Sequence, residues 1–243
     1  MYPETADIET SSDDYASRFA GPAGAWMLQV QERIVIDWLK SHPGATVLDI
    51  GGGHGQLAIP IANMGFPVTV LGSDATCGKR LEKKVSSGKI KFTTGNVIDL
   101  PFSNKSFDVA VCIRLIPHCE RWPELITQLC RVARHAVIVD YPTIQSINIF
   151  SSSLFGLKKK LEGNTRPFKL FKHSDITNEF LKNQYTMANR QPEFFLPMVL
   201  HRKLNKPSIS ASLEGFFRIA GLTRIFGSPI LVEMISGSEK NYK

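Results

Sequence analysis

The stretch Val47-Leu48-Asp49-Ile50-Gly51-Gly52-Gly53-His54-Gly55-Gln56 carries an apolar run into an aspartate and then sets glycines at alternate positions. Glycine serves where backbone must approach another group closely or take a positive φ. A helix opening near Gln56 would aim its unpaired amides at whatever lies in that turn. The chemistry is that of a nucleotide-like ligand held by backbone. A second acid, Asp74, ends the next apolar run, and a charged acceptor in a dry site is a strong grip for a ribose diol. A third run, Gly95-Asn96-Val97-Ile98-Asp99-Leu100-Pro101-Phe102, is followed by Ser106-Phe107-Asp108-Val109. His118, in the loop after the fourth strand, is a side chain placed to handle a proton, and Tyr141, at the tip of the fifth, one placed to touch a substrate.

The glycine spacing departs from the G-x-G-x-x-G of dinucleotide folds, because the third glycine falls on Gln56. The observed Asp49-x-Gly51-x-Gly53-x-Gly55 resembles motif I of the class I S-adenosylmethionine (SAM) dependent methyltransferases. The run from Gly95 to Phe102 with Phe107-Asp108 looks like the corresponding segment of small-molecule members, including those of the ubiquinone and menaquinone C-methyltransferase type. The resemblance covers roughly residues 30 to 143, with weaker traces at both ends. It implies SAM as cofactor and S-adenosylhomocysteine as product. Gly51, Gly52 and Gly53 would line the methionine part, with Asp49 ordering its surroundings. Asp74 would hold the ribose, Ala75 border the adenine, and Asn96 and Val97 meet its edge. Asn96 stands where the family usually has Asp; its carbonyl oxygen still accepts a hydrogen bond. Ile113 would offer backbone near the methionine amine, and an N-terminal segment with Tyr15 and Arg18 would fold over the ligand, Arg18 reaching its carboxylate.

That family needs no metal and no covalent residue. It aligns donor and acceptor and excludes water. His118 would act as base or order its loop, Tyr141 would touch the acceptor, and Arg114 would either form a salt bridge or meet an acidic acceptor. His173 reads as surface or packing. The expected activity is methyl transfer by in-line displacement to oxygen, carbon or nitrogen of a small-molecule or lipid-like acceptor. The alternative is a SAM- or nucleotide-binding protein without transfer activity that uses a basic cap as an interaction surface. A nicotinamide enzyme is disfavoured by Gln56 and by the run at 96–102.

The elements that position these residues alternate. Strands are predicted over 46–50, 67–71, 90–94, 107–113 and 136–140, with helices over 26–39, 56–64, 77–85 and 122–133 between or beside them. Alternation of this kind makes an α/β, doubly wound, mostly parallel sheet with helices on both faces. A helix over 213–220 and two strands over 222–226 and 229–234, forming a hairpin with an antiparallel last member, complete a Rossmann-like sheet of seven strands. The family's Pro-Gly-Gly turn before the fifth strand is replaced by Arg131–Ala136, which predicts a tighter or differently shaped connection. The chain divides into an N-terminal lid segment (1–29), the SAM-binding core (30–143), an inserted basic and aromatic cap (144–206) and a closing unit (207–243).

Charge follows this division. The chain has 243 residues and a net charge of +7. Residues 151–206 hold eleven Lys and Arg against four Asp and Glu, and the remainder is balanced. Phe150, Leu154, Phe155, Leu157, Leu161, Phe168, Leu170 and Phe171 interleave with those lysines, which suits an acidic or lipid-like acceptor or peripheral contact with an anionic membrane; nucleic acid is disfavoured. No window reaches the roughly 18 apolar residues of a membrane span, and the start is polar and acidic. The four cysteines form no C-x-x-C pair and no His/Cys group has zinc spacing. Reduced thiols in a cytoplasmic protein are expected.

Overall fold

A computed structural model describes residues 2–146 and 168–237. Five parallel strands, β1 (Val47–Ile50), β2 (Val68–Gly72), β3 (Ile90–Thr94), β4 (Phe107–Cys112) and β5 (Ala133–Tyr141), form most of a sheet completed by β6 (Tyr185–Pro192) and β7 (Ile230–Ser236). The order is β3-β2-β1-β4-β5-β7-β6, with β7 antiparallel to both neighbours. The seven-stranded, mostly parallel sheet with an antiparallel last strand is the architecture that the motifs implied. Helices cover both faces, so β1 is buried along its length and β5 from Ala136 to Tyr141. Leu48, Ile50, Val137 and Val139 enter one core with α6 (Trp122–Val132). Val47, Val111 and Ile138 enter the other with α3 (Gly21–Leu39) and α4 (Ala58–Asn63). Before α3 lie two short helices, α1 (Ala6–Thr10) and α2 (Asp13–Ser17). A 3-10 turn (Ala75–Leu81) runs into α5 (Glu82–Ser86) after β2.

Strand order reverses between β1 and β4, and open α/β sheets bind ligands at such a point, beyond the carboxyl ends of the strands. The glycine turn follows β1, and the Ile113-Arg114 loop follows β4. Of the two forms left open for the connection into β5, the tighter is found: α6 ends at Val132 and β5 begins at Ala133. Arg131 stands in for the missing turn by donating to the carbonyls of Leu100 (2.8 Å) and Phe102 (2.7 Å).

One expectation fails. Residues 222–226, read as a strand, form helix α10 (Leu222–Phe226), opened by Gly221 at φ 75°. The place beside β7 belongs to β6, which lies inside the segment assigned to the cap. α7 (His173–Lys182) precedes it and packs on α6 and β6. Part of 144–206 therefore builds the core sheet. β6 is polar and ends in proline, the composition of an edge strand that needs no inward apolar row, so its periodicity does not reveal it. α8 (Met198–Leu204) and α9 (Pro207–Ile219) follow, both packed on α3. Of the apolar residues expected in the cap, Phe150, Leu154, Phe155, Leu157 and Leu161 lie outside the described residues.

Candidate functional site

The glycine turn is built without side chains because there is no room for them. Gly51 takes φ 74° and Gly55 φ 70°. A Cβ on Gly53 would stand 2.2 Å from the Cys77 carbonyl oxygen, and one on Gly52 would stand 2.0 Å from Asp49 Oδ2. Asp49 is thus folded beneath the turn. It is fully buried, and burial raises its carboxyl to about 7 against the pull of Arg114.

Around this turn gathers a buried polar cluster. Gln31 of α3 donates to Glu193 Oε1 at 2.9 Å and to Asp140 Oδ2 at 3.3 Å. Gln56 donates to Gln31 Oε1 at 3.3 Å, and the Arg114 amide donates to Asp140 Oδ1 at 2.6 Å. Arg114 holds φ 61°, a left-handed conformation that non-glycine residues seldom take. Burial lifts Asp140 to about 6 and Glu193 to about 8, the second helped by the neighbouring Asp140 charge. A small cavity of about 20 Å³ opens here, lined by Asp49, Gly51, Gly52, His54, Ile113 and Arg114 among others. Three buried polar atoms at its edge, Asp49 Oδ2, Gln56 Oε1 and His54 Nε2, lack a hydrogen-bond partner. Unsatisfied buried polar atoms cost stability and mark places where a polar ligand group fits.

The N-terminal segment lies directly on the turn. Asp7 of α1 is fully buried; it accepts from the Ser73 amide (2.5 Å) and hydroxyl (2.6 Å) at the end of β2. Glu4 accepts from the Arg121 amide at 2.8 Å. Tyr15 is ringed by His54 (5.8 Å between centroids), His118 (6.4 Å) and the Arg114 guanidinium (5.8 Å). Arg18 lies over the Tyr15 ring as well, 5.1 Å from its centroid, with Glu9 4.0 Å away. Arg114 is the cation that lines the glycine-turn cavity.

Other expected residues fall nearby with different orientations. Asp74 is exposed and caps its own turn by accepting from the Thr76 amide and hydroxyl, which hold its carboxyl below the ordinary range. Ala75 is exposed beside it. Asn96 Oδ1 accepts from the Ile98 amide at 3.1 Å, and Val97 is buried in the core. Ile113 lines the small cavity. His118 stands between Tyr15 and Phe168.

Tyr141 is fully buried and directed away from the glycine turn's face of the sheet. It belongs to the core cluster on the α6 face, whereas Asp140, its neighbour, meets Gln31 of α3. Its hydroxyl pairs with His173 Nδ1. Burial raises the Tyr141 phenol above its ordinary range and lowers the His173 imidazole, so at neutral pH the pair is a neutral donor and a neutral acceptor. His173 lines a second, larger cavity of about 460 Å³ together with Thr143, Ile144, Gln145, Lys172 and Ser174. The sequence pattern assigns neither His173 nor Glu193 to a site. Both come from the segment whose fold its periodicity does not show.

Comparison with known proteins agrees with this geometry. The family described as "Methyltransferase domain" matches residues 47–136. An O-methyltransferase of Pyrenophora dematioidea is 31% identical over 106 residues, which are 41% of this chain and 39% of that protein. A 2-phytyl-1,4-naphtoquinone methyltransferase of a Nostoc species is 30% identical over 141 residues, 51% of this chain and 62% of that protein. The chain thus covers less than two thirds of either relative. Magnesium protoporphyrin IX methyltransferase from Synechocystis, solved with bound S-adenosylhomocysteine, superposes with a TM-score of 0.63 at 17% identity, covering 88% of this chain and 85% of that one. Residues 47–136 thus match the methyltransferase-domain family, and the sheet as a whole has the fold of a solved SAM-dependent methyltransferase.

Proposed function

We propose that the chain transfers a methyl group from SAM to a small-molecule or lipid-like acceptor, releasing S-adenosylhomocysteine. The observation that carries this reading is the glycine-turn cavity, where Asp49 Oδ2 and Gln56 Oε1 have no partner and Arg114 supplies a cation. Two acceptors and a guanidinium suit the amino-acid end of SAM, whose ammonium donates and whose carboxylate accepts. Gly51, Gly52 and Gly53 admit that end by having no side chains. Asp74 and Ala75 at the end of β2, with Asn96 and Val97 beyond β3, are the residues for the ribose and adenine. The path between them and the glycine turn is crossed by Asp7, so α1 moves outward when the nucleoside binds. Bound SAM supplies a methyl on a sulfonium. Tyr15 and His118 wall that position and keep water from it, and an aromatic face favours the cation.

The acceptor belongs in the larger cavity at the end of β5, whose volume suits a small molecule. Lys172 there attracts an acidic group, and the naphthoquinone bearing a phytyl chain, after which the Nostoc relative is called, supports a lipid-like one. His173 takes the proton from an acceptor hydroxyl at Nε2, and Tyr141 fixes the imidazole by accepting from Nδ1–H through its hydroxyl oxygen. His118 keeps the role of ordering the loop after β4. The four free, buried cysteines suit a reducing compartment, the cytoplasm.

His173→Gln is expected to slow transfer from labelled SAM to a prenylated naphthoquinol by about a hundredfold, with SAM affinity unchanged. Equal rates would remove His173 from the reaction. The second reading, a SAM-binding protein without transfer activity, is favoured by the buried seat of α1 across the groove. It would show as tight SAM binding with no label passed to any prenylated phenol or quinol.

A further inference from the structure

The helices that close the chain present apolar side chains to solvent. Ile219 is 91% exposed and Phe216 65%, and Leu200, Leu204, Ile209 and Ile225 are exposed with them. On α9, Ile209, Phe216 and Ile219 stand at i, i+7 and i+10, which is one stripe of a helix. Ser210 and Glu214 mark the opposite, buried side. α8 and α10 flank α9 and pack against it. Scattered surface apolar residues need no explanation, but a run of them on three consecutive helices, the outer two packed on the middle one, marks a contact surface.

Charge says what the contact is. Arg202, Lys203, Lys206, Arg218 and Arg224 lie on the same three helices or the link between them. The acids of residues 194–237 are Glu214 and Glu233, and both are buried and engaged. Glu214 accepts from the amides of Phe195 (2.8 Å) and Leu196 (2.9 Å); Glu233 pairs with His42 and Asn189. The surface is therefore apolar and cationic without an exposed acid. A symmetric contact with a second copy would set those cations against themselves. A protruding phenylalanine and isoleucine rimmed by Lys and Arg is the pattern of a helix face that lies in the headgroup layer of an anionic bilayer.

We propose that α8, α9 and α10 dock the protein on an anionic lipid surface, inserting Phe216 and Ile219 and placing Lys203, Lys206 and Arg224 against the headgroups. The proposal stands apart from methyl transfer, and its test does not require SAM or an acceptor. The full chain is sedimented with vesicles of phosphatidylcholine alone and of phosphatidylcholine with phosphatidylserine. Binding is expected to the second and to weaken with salt. Phe216→Asp with Ile219→Asp is expected to abolish it. Lys203→Ala and Lys206→Ala are each expected to weaken it about fivefold while sparing the fold, since all four side chains are solvent-exposed. Circular dichroism and thermal unfolding confirm the fold of each variant. Equal binding to both vesicle types, no binding to either, or wild-type binding by the folded Asp variant would overturn the proposal. So would a concentration-dependent dimer that the Asp variant dissolves, because the surface would then be a self-interface.

Discussion

Gly53→Ala is expected to destabilise the protein by about 1–3 kcal/mol, the usual cost of forcing an extra carbon into a packed site, and to weaken SAM binding by more than tenfold. The new Cβ would meet the Cys77 carbonyl oxygen at 2.2 Å and Ser11 Oγ at 2.5 Å. Ser11 can turn aside, but the carbonyl is backbone inside the 3-10 turn that follows β2 and cannot. The two walls of the cofactor groove must then part. Backbone conformation is not the cause, because Gly53 does not hold a positive φ. Gly215→Ala, in α9 with nothing within 4 Å of its added carbon, should instead stabilise by about 0.5–1 kcal/mol, as alanine does over glycine inside a helix. Denaturant unfolding of both variants, with SAM titration of the first, checks the pair. A Gly53→Ala protein as stable and as well bound as the parent would mean that the groove is not closed against Cys77.

Stability should fall as pH rises from about 6.5 to about 8.5. Glu193 and Asp49 are fully buried with carboxyls raised to about 8 and about 7, while an unfolded carboxyl titrates near 4. Across that interval the folded state keeps protons that the unfolded state has already lost, so each step upward favours unfolding. Each such proton costs about 1.4 kcal/mol for every pH unit over which only the folded state holds it, and the loss across the window from the two groups is about 3 kcal/mol. His54 works in the other direction, since burial lowers it to about 4. Its contribution is complete above its unfolded value near 6.5, which leaves the upper window to the acids. Asp140, near 6, has mostly titrated by then. Glu193→Gln keeps a hydrogen-bonding group beside Gln31 and should flatten the upper part of the curve. A stability profile that is level or rising over this interval would show that the cluster is not shielded as the geometry requires.

Much of this site was legible in the sequence because its chemistry is local. The glycine turn, the acid ending β2 and the run after β3 lie within single strand-to-loop junctions, where residue type and spacing report backbone shape directly. Asp49, Gly51 and Ile113 line the small cavity at the ends of β1 and β4, and Gly53 stands against the Cys77 carbonyl. What escaped reading is assembled across the chain. Arg114 comes to line the cavity through a left-handed residue after β4, a conformation that residue type does not announce. Glu193 joins the cluster only because β6 runs beside β7 and delivers it to α3. β6 itself is polar, and the Leu222–Phe226 segment is apolar, so hydropathy favoured the wrong one as a strand. Tyr141 was placed at the correct tip, but the alternation along β5 turns it toward His173 and away from Asp140's side of the sheet.

The most direct test of the central claim is calorimetric titration of the protein with SAM, S-adenosylhomocysteine and NAD side by side, repeated with Asp74→Ala and Asp49→Asn. Micromolar binding of the first two, none of NAD, and weaker binding in both variants is the predicted result. Failure of the parent protein to bind SAM would contradict the account, because the buried acceptors beside the glycine turn would then serve some other ligand.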